Sequence, residues 1–139
     1  MKKSLKFTIA TICAISVAVG VLHVSSLKAQ TQSVTRTEIL KTDLVGMDGY
    51  EGVMYVTDVA PGGVAPRHSH PGYEFNYVLK GALKFEPDGE APILLKAGQA
   101  TFNPLGHVHK VSNASTTEPA QLVVVLIHQK GKPLAIPVQ

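Results

Sequence analysis

Glycine and proline break this chain into short segments over most of its length. The sequence has 139 residues, with twelve glycines and nine prolines. Between the breaks, apolar side chains either alternate with polar ones or form short continuous runs, and both patterns are typical of β-strands. After residue 30 no segment has a sustained helical apolar period with helix caps. Many short strands separated by turns predict an all-β barrel or sandwich.

The pattern gives eight candidate strands and one clear hairpin turn. The strands are predicted at residues 36–45, 51–60, 73–79, 82–86, 92–95, 99–102, 107–111 and 121–128. Pro87-Asp88-Gly89-Glu90 predicts the turn, because Asp-Gly tolerates the positive φ angles of tight hairpins. The sequence has no internal repeat, and its length indicates one small domain.

The first 29 residues have the build of a bacterial secretory signal peptide. Three lysines precede an almost entirely apolar run at residues 7–24, and small residues follow it. The run is also about long enough to cross a bilayer, which needs roughly 17–25 residues, so an uncleaved membrane anchor is the alternative. We favour cleavage near Ala29. The protein is then periplasmic or secreted, with a leader at 1–29, a flexible segment at 30–35 and a folded domain at 36–139.

Removal of the leader changes the charge and the redox chemistry of the chain. The sequence has thirteen basic and ten acidic residues, but four of the lysines lie in the leader. The mature chain is therefore close to neutral, and it lacks the basic patches that bind nucleic acid and any membrane segment. Its one cysteine, Cys13, also lies in the leader. Any metal must therefore be held by nitrogen and oxygen ligands.

Two spaced motifs contain three histidines and one glutamate. They read Gly62-x5-His68-x-His70-x3-Glu74-x6-Gly81 and Gly98-x5-Pro104-x-Gly106-x2-His109-x3-Asn113. His68 and His70 share a parity, so in a strand they can point to one face, and a turn at Pro71-Gly72 can fold Glu74 back toward them. His109 must come from a different strand. Three imidazoles and one carboxylate can hold a divalent metal ion and leave coordination positions open.

Both motifs resemble, at every fixed position, the two motifs of the cupin superfamily. The resemblance covers residues 62–113 and implies that His68, His70, Glu74 and His109 are the metal ligands. It also implies a small antiparallel β-barrel of the jelly-roll type. The short stretch between the motifs is similar to that of compact, single-domain bacterial members.

The ligand types restrict the metal without fixing it. Nitrogen and carboxylate oxygen suit Mn, Fe, Co, Ni, Cu or Zn, and affinity alone favours Cu and Zn. Four protein ligands leave open positions on a five- or six-coordinate ion, which allows Lewis-acid or oxygen chemistry. A tetrahedral zinc ion would instead be closed and structural.

Four further polar residues near the motifs are weaker candidates. Asn76 has the parity of Glu74, so it either contacts a ligand or substrate in the barrel or is a buried residue bonded to backbone. Arg67 either steers an anion to the mouth of the site or lies solvated on the surface. His107 is at most a proton shuttle at the mouth. His128 either lines the cavity or lies at a solvated strand end, and we favour the strand end.

Different classes of function are compatible with such a site. The first is an exported metalloenzyme acting on a small organic molecule. Within it we favour a dioxygenase-like oxidoreductase over a decarboxylase or isomerase, with Glu74 as ligand and candidate base. The second is a non-catalytic module that captures a metal ion or small ligand, and the third is a partner-binding protein with a vestigial site. Tyr73, Phe75 and Tyr77 form an aromatic row on one strand face, which predicts a homodimer.

Overall fold

The computed structural model describes residues 33–139, and this part of the chain folds into ten β-strands without a helix. The strands are β1 (Val34–Asp43), β2 (Tyr50–Val59), β3 (Val64–Ser69), β4 (Gly72–Lys80), β5 (Ala82–Pro87), β6 (Ile93–Lys96), β7 (Ala100–Asn103), β8 (His109–Asn113), β9 (Ala120–Gln129) and β10 (Ile136–Pro137). No helix of this part could span a membrane. The predicted leader at 1–29 lies outside the described residues.

The strands form two five-stranded sheets. Their orders are β1-β2-β9-β4-β7 and β10-β3-β8-β5-β6, and every pair is antiparallel. From β2 onward the chain changes sheet at nearly every connection, which is the jelly-roll arrangement. The predicted all-β fold is confirmed. The crossings bring β3, β4 and β8, which carry the two motifs, to the same interior.

The core lies between the two sheets, because alternate side chains of each strand point inward. In β9, for example, Leu122, Val124 and Leu126 are buried, while the residues between them are half-buried. The facing sheet contributes Leu83, Phe85, Leu95 and Val111. Complete burial of one such aliphatic or aromatic side chain stabilises the fold by roughly 1.5–3 kcal/mol.

Two strands of the structure were not predicted, namely β3 and β10. Pro66 had suggested a break, but the register of β3 against β8 shifts between Ala65 and His68. A proline fits at such an irregularity because no ladder hydrogen bond is needed from its nitrogen. In addition, β1 begins at Val34, so the last two residues of the segment predicted to be flexible are paired with β2.

Glycines shape the backbone around the motifs at two places. Gly89 has a φ of 79° and the N–H of Glu90 donates to the carbonyl of Pro87 at 3.4 Å, which confirms the predicted hairpin turn. At Gly72, an added Cβ would lie 2.2 Å from the carbonyl oxygen of Ile127 and 2.5 Å from Cβ of His128. Only glycine therefore lets β4 begin this close to β9, two residues before Glu74.

Candidate metal centre

Three buried histidines meet between the sheets. His68 on β3 stands opposite His109 on β8, and His70 follows directly after β3. One ring nitrogen of each lies within 4.8 Å of those of the other two. The ring centroids are 4.5–5.2 Å apart, and the residues are 8%, 2% and 1% exposed for His68, His70 and His109. The two motifs thus converge, as their resemblance to the cupin motifs implied.

Each of the three rings has its Nδ1 bound to a main-chain carbonyl. The Nδ1–oxygen distances are 2.6 Å from His68 to Pro66, 2.5 Å from His70 to Leu134 and 3.2 Å from His109 to His107. A carbonyl oxygen can only accept, so Nδ1 carries the proton and Nε2 holds the lone pair of a neutral imidazole. This is the tautomer and orientation in which histidines bind metal ions.

The carboxylate of Glu74 lies against two of these rings. Oε1 is 3.1 Å from Nε2 of His70, and Oε2 is 3.6 Å from Nε2 of His109. Burial alone raises the pKa of Glu74, but the interaction with His70, the charge of His109 and hydrogen bonding outweigh it and lower the pKa to about 2. Glu74 is therefore ionised at neutral pH.

The histidines resist taking up protons, because they are removed from water. Burial lowers the pKa of His109 to about 4, against the opposing charge of Glu74. Burial also lowers the pKa of His68. At neutral pH both rings are therefore neutral, and their lone pairs are available for coordination.

The donor set fits a divalent transition metal ion. With Nδ1 protonated, Nε2 of His70 and the Glu74 carboxylate are both acceptors, and lone pairs facing each other at 3.1 Å repel unless a cation lies between them. Nε2 of His70 is moreover buried without a hydrogen-bond partner. Three neutral nitrogens and one carboxylate suit Mn, Fe, Co, Ni, Cu or Zn. His68, His70, Glu74 and His109 are the residues that could hold the ion.

Asn103 belongs to this site and was missed in the sequence. It stands opposite Glu74 across β4 and β7, is buried, and its Nδ2 donates to Oε2 of Glu74 at 2.5 Å. The signal was available, because Asn103 shares the inward parity of Thr101 and lies one residue beyond the predicted strand.

A narrow cavity lies beside the ligands and adjoins a wider pocket. The cavity measures about 30 Å³, and its lining includes His68, Glu74 and His109. The outer pocket measures about 280 Å³. Four residues line both spaces, namely Val34, Arg36, Ala65 and His68. The ligand cluster therefore lies next to a space large enough for a small molecule.

The three further candidates, Asn76, Arg67 and His107, lie at different positions relative to the ligand cluster. Asn76 is buried, lines the cavity, and its Nδ2 has no hydrogen-bond partner among residues 33–139. Arg67 lines only the outer pocket, where its guanidinium is bound by the carboxylate of Asp88 and by an oxygen of Gln139 at 2.9 Å. His107 does not line the cavity, and its Nε2 lies 3.8 Å from Oε1 of Glu90.

The expectation that His128 lies at a solvated strand end was wrong. The residue is only 1% exposed, because β9 is a central strand and His128 is paired with Glu51 on β2 and with Gly72 on β4. Its Nε2 lies 3.3 Å from Oε1 of Glu51. The same oxygen is 3.1 Å from Nζ of Lys41. His128 is thus part of a second buried histidine–glutamate pair.

Solved structures share this fold. An uncharacterised protein with a double-stranded β-helix domain from Klebsiella pneumoniae has a TM-score of 0.63 and 23% identity, over 78% of this chain and 88% of the other. The DMSP lyase DddQ from Ruegeria pomeroyi has a TM-score of 0.59 and 22% identity, over 75% of this chain and 51% of the lyase. An oxalate oxidase in complex with the substrate analogue glycolate has a TM-score of 0.59 and 26% identity, over 78% of this chain and 56% of the oxidase. This chain thus spans about half the length of the lyase and the oxidase.

Sequence comparison defines the family. No curated protein is significantly similar to the chain. The profile of the cupin domain matches residues 55–126, which is half of the sequence and includes all four candidate ligands. With the jelly roll and the three converging histidines, this match shows that the chain belongs to the cupin domain family.

Proposed function

We propose that this protein is a metal-dependent enzyme that acts on a small organic molecule in the periplasm or outside the cell. The observation that carries the proposal is the convergence of three imidazole lone pairs and one ionised carboxylate beside a cavity that adjoins a larger pocket. A purely structural metal needs no such space. Export rests on the leader-like residues 1–29.

Each residue of the centre has a distinct role in this proposal. His68, His70, Glu74 and His109 hold the ion, and three main-chain carbonyls keep the rings in the coordinating tautomer. When bound, the ion supplies Lewis acidity and, if it is redox-active, oxygen chemistry. Asn103 orients the carboxylate of Glu74. A carboxylate with a pKa of about 2 is a weak general base, so Glu74 serves as a ligand rather than as a base.

Among the reaction classes, a dioxygenase-like oxidoreductase is the version we favour. On a six-coordinate ion, four protein ligands would leave two positions, enough for both a substrate and oxygen. The likeness to an oxalate oxidase at 26% identity supports an oxidative reaction, and decarboxylation and isomerisation are the alternatives.

Oxygen uptake tests the oxidative version. The mature protein is loaded with Fe, Mn, Ni or Cu and screened against phenols, diketones and oxalate. We expect uptake with one metal and none after His109→Ala, whereas His107→Ala, which removes a histidine outside the donor set, keeps the activity. Loss of substrate without oxygen uptake would show that the enzyme is a lyase or isomerase rather than an oxidase. An absence of oxygen uptake with every metal overturns the oxidative version.

A non-catalytic metal- or ligand-binding module is the second candidate. The cavity beside the ligands is only about 30 Å³, and its lining in residues 33–139 contains no acid–base pair apart from the candidate ligands. Recovery of a tightly bound ligand unchanged after long incubation would favour this alternative. Turnover of any substrate would exclude it.

We also propose that the protein is a homodimer. Tyr73, Phe75, Tyr77 and Leu79 of β4 are 42–48% exposed, and the ring of Phe75 lies 5.0 Å from that of Phe102 on β7. Such a continuous apolar sheet face is typical of an interface. Light scattering should give twice the mass of the chain, and Phe75→Lys should give a monomer. A wild-type monomer at micromolar concentration contradicts the proposal.

A further inference from the structure

Two buried polar side chains line the cavity beside the ligands, and one of them, Asn76, also helps to lower the pKa of Glu74. Thr57 is 6% exposed and Asn76 is 4% exposed, and both line the cavity. Oγ1 of Thr57 and Nδ2 of Asn76 have no hydrogen-bond partner in the described part of the chain. Buried donors without partners are costly and uncommon in folded proteins, which indicates that something else accepts their hydrogen bonds.

Arg36 adds a positive charge to the same cavity. It lines both the cavity and the outer pocket, so its side chain lies where the two spaces meet. Its charge lowers the pKa of His68 and opposes the burial that raises the pKa of Tyr55, as expected for a guanidinium close to both. No acidic residue within 33–139 forms an ion pair with Arg36, unlike Arg67, which is bound to Asp88.

We propose that the cavity binds the carboxylate of a small organic acid, and that Arg36, Thr57 and Asn76 donate hydrogen bonds to its oxygens. The inference deepens the proposed function, on which it rests, by naming the substrate class. All three side chains offer donors, and the planar fork of a guanidinium matches a carboxylate. The volumes of the two spaces agree with such a ligand, because the 30 Å³ cavity admits only a small head group and the 280 Å³ pocket can hold the rest of the acid.

The charge of the loaded site also favours an anion. With the ion bound, the donor set carries one negative charge, since each imidazole keeps its Nδ1 proton on a main-chain carbonyl and offers a neutral Nε2, while Glu74 offers a carboxylate. A divalent ion therefore leaves a net positive centre, and Arg36 adds to it. A positive centre in a narrow cavity and an arginine at its edge attract an anionic ligand over a neutral one of the same shape.

The test compares propionate with propionamide, which has the same shape without the charge. Both are titrated by calorimetry into the mature protein loaded with its native metal. We expect propionate to bind roughly tenfold more tightly, and Arg36→Met to remove this preference. Lys80→Met, which removes a positive charge outside the cavity lining, should leave it intact. Equal affinity of the wild type and Arg36→Met for propionate overturns the proposal.

Thr57→Val provides a second variant that keeps the shape of the side chain. Because Oγ1 of Thr57 has no partner within the described residues, valine removes a donor without breaking a hydrogen bond of the fold. We expect about a three- to tenfold loss of propionate affinity and a melting temperature that is unchanged or higher. If Arg36→Met does not fold, Thr57→Val tests the proposal in its place. An affinity of Thr57→Val for propionate equal to that of the wild type then overturns the proposal.

Two further readouts separate this inference from the proposed function. Binding of propionate through Arg36 without turnover of any acid supports the inference and contradicts the enzyme. Turnover of a neutral substrate by a protein without carboxylate preference contradicts the inference and supports the enzyme. Inorganic phosphate is the third probe, and equal, Arg36-dependent binding of phosphate would show a general anion site and overturn the carboxylate assignment.

Discussion

Two buried histidine–glutamate pairs in the same interior differ in what surrounds them. Nε2 of His70 lies 3.1 Å from Oε1 of Glu74, and Nε2 of His128 lies 3.3 Å from Oε1 of Glu51. The first pair is joined by two more histidines and a cavity. The second is joined by Lys41, whose Nζ lies 3.1 Å from the same glutamate oxygen.

The difference shows what turns a buried ion pair into a candidate metal centre. At Glu51 the negative charge has a lysine as its partner, so the pair is already compensated by the protein. At Glu74 the neighbours are rings whose Nδ1 atoms donate to main-chain carbonyls and an amide from Asn103, so no lysine or arginine among residues 33–139 forms an ion pair with this carboxylate. A pair of residues is not a site by itself, because the uncompensated charge and the adjoining space are what favour an ion.

The largest expected effect separates the two pairs directly. His70→Asn removes a ligand, so metal affinity should fall by more than the roughly 10–100-fold that follows loss of an outer partner. His128→Asn is the matched control and should keep a full equivalent of metal. Both are measured by elemental analysis after dialysis against a buffered metal solution. Equal loss in the two variants would contradict the distinction between the pairs.

Acid should destabilise the metal-free protein in two steps. The pKa of His109 is about 4 in the folded protein, below its ordinary value of 6.5, so between these values only the unfolded chain takes up the proton, and stability falls as the pH falls. Glu74 has a pKa of about 2 in the folded protein, below its ordinary value of 4.5. The free energy of unfolding therefore continues to fall as the pH drops from 4.5 toward 2. Protonation of His109 should lower the free energy of unfolding by on the order of 3 kcal/mol.

Urea unfolding of the metal-free protein at pH 7, 5.5 and 4 measures this step. In the His109→Asn variant the loss between pH 7 and pH 4 should be smaller than in the wild type. A wild-type stability that does not change over this range would contradict burial of neutral His109.

Loss of the groups that orient each glutamate should affect different properties. Asn103→Leu removes the amide that donates to Glu74, and metal affinity should fall by roughly 10–100-fold. Lys41→Met removes the cation beside Glu51 and should leave metal affinity unchanged. Competition with a metal-binding dye measures both. A fall of similar size in Lys41→Met would show that the two pairs are coupled.

The smallest expected effect is on stability. Lys41→Met leaves the buried carboxylate of Glu51 without its cation, but Lys41 itself is half exposed and its charge is screened by water. The free energy of unfolding should therefore fall by only about 1 kcal/mol. Urea unfolding of the metal-loaded protein measures it, and a much larger loss would mean that the second pair depends on Lys41 as a buried ion pair does.

Local features of the sequence were sufficient for most strands and for the spacing of the motifs. Alternation and the turn residues depend only on near neighbours, so the pattern located β2, β4 and β9 to within a residue at each end. The convergence of His68, His70 and His109 was implied by the resemblance of the two motifs to those of the cupin superfamily.

Features that depend on distant strands could not be predicted in the same way. The strand through Pro66 requires the register shift against β8, and the burial of His128 requires its neighbours on β2 and β4. Asn103 becomes a partner of Glu74 only through the pairing of β4 with β7. Likewise, Arg36 stands in a region of ordinary strand pattern, and only the assembled fold places it at the cavity.

The central claim concerns a single ion held by His68, His70, Glu74 and His109. A crystal structure of the protein purified from its own host, with anomalous data at the edge of the metal found by elemental analysis, tests it most directly. We predict one transition metal ion bound by Nε2 of the three histidines and by a carboxylate oxygen of Glu74. An ion bound instead between His128 and Glu51, or a protein that carries no transition metal when isolated, would contradict the claim.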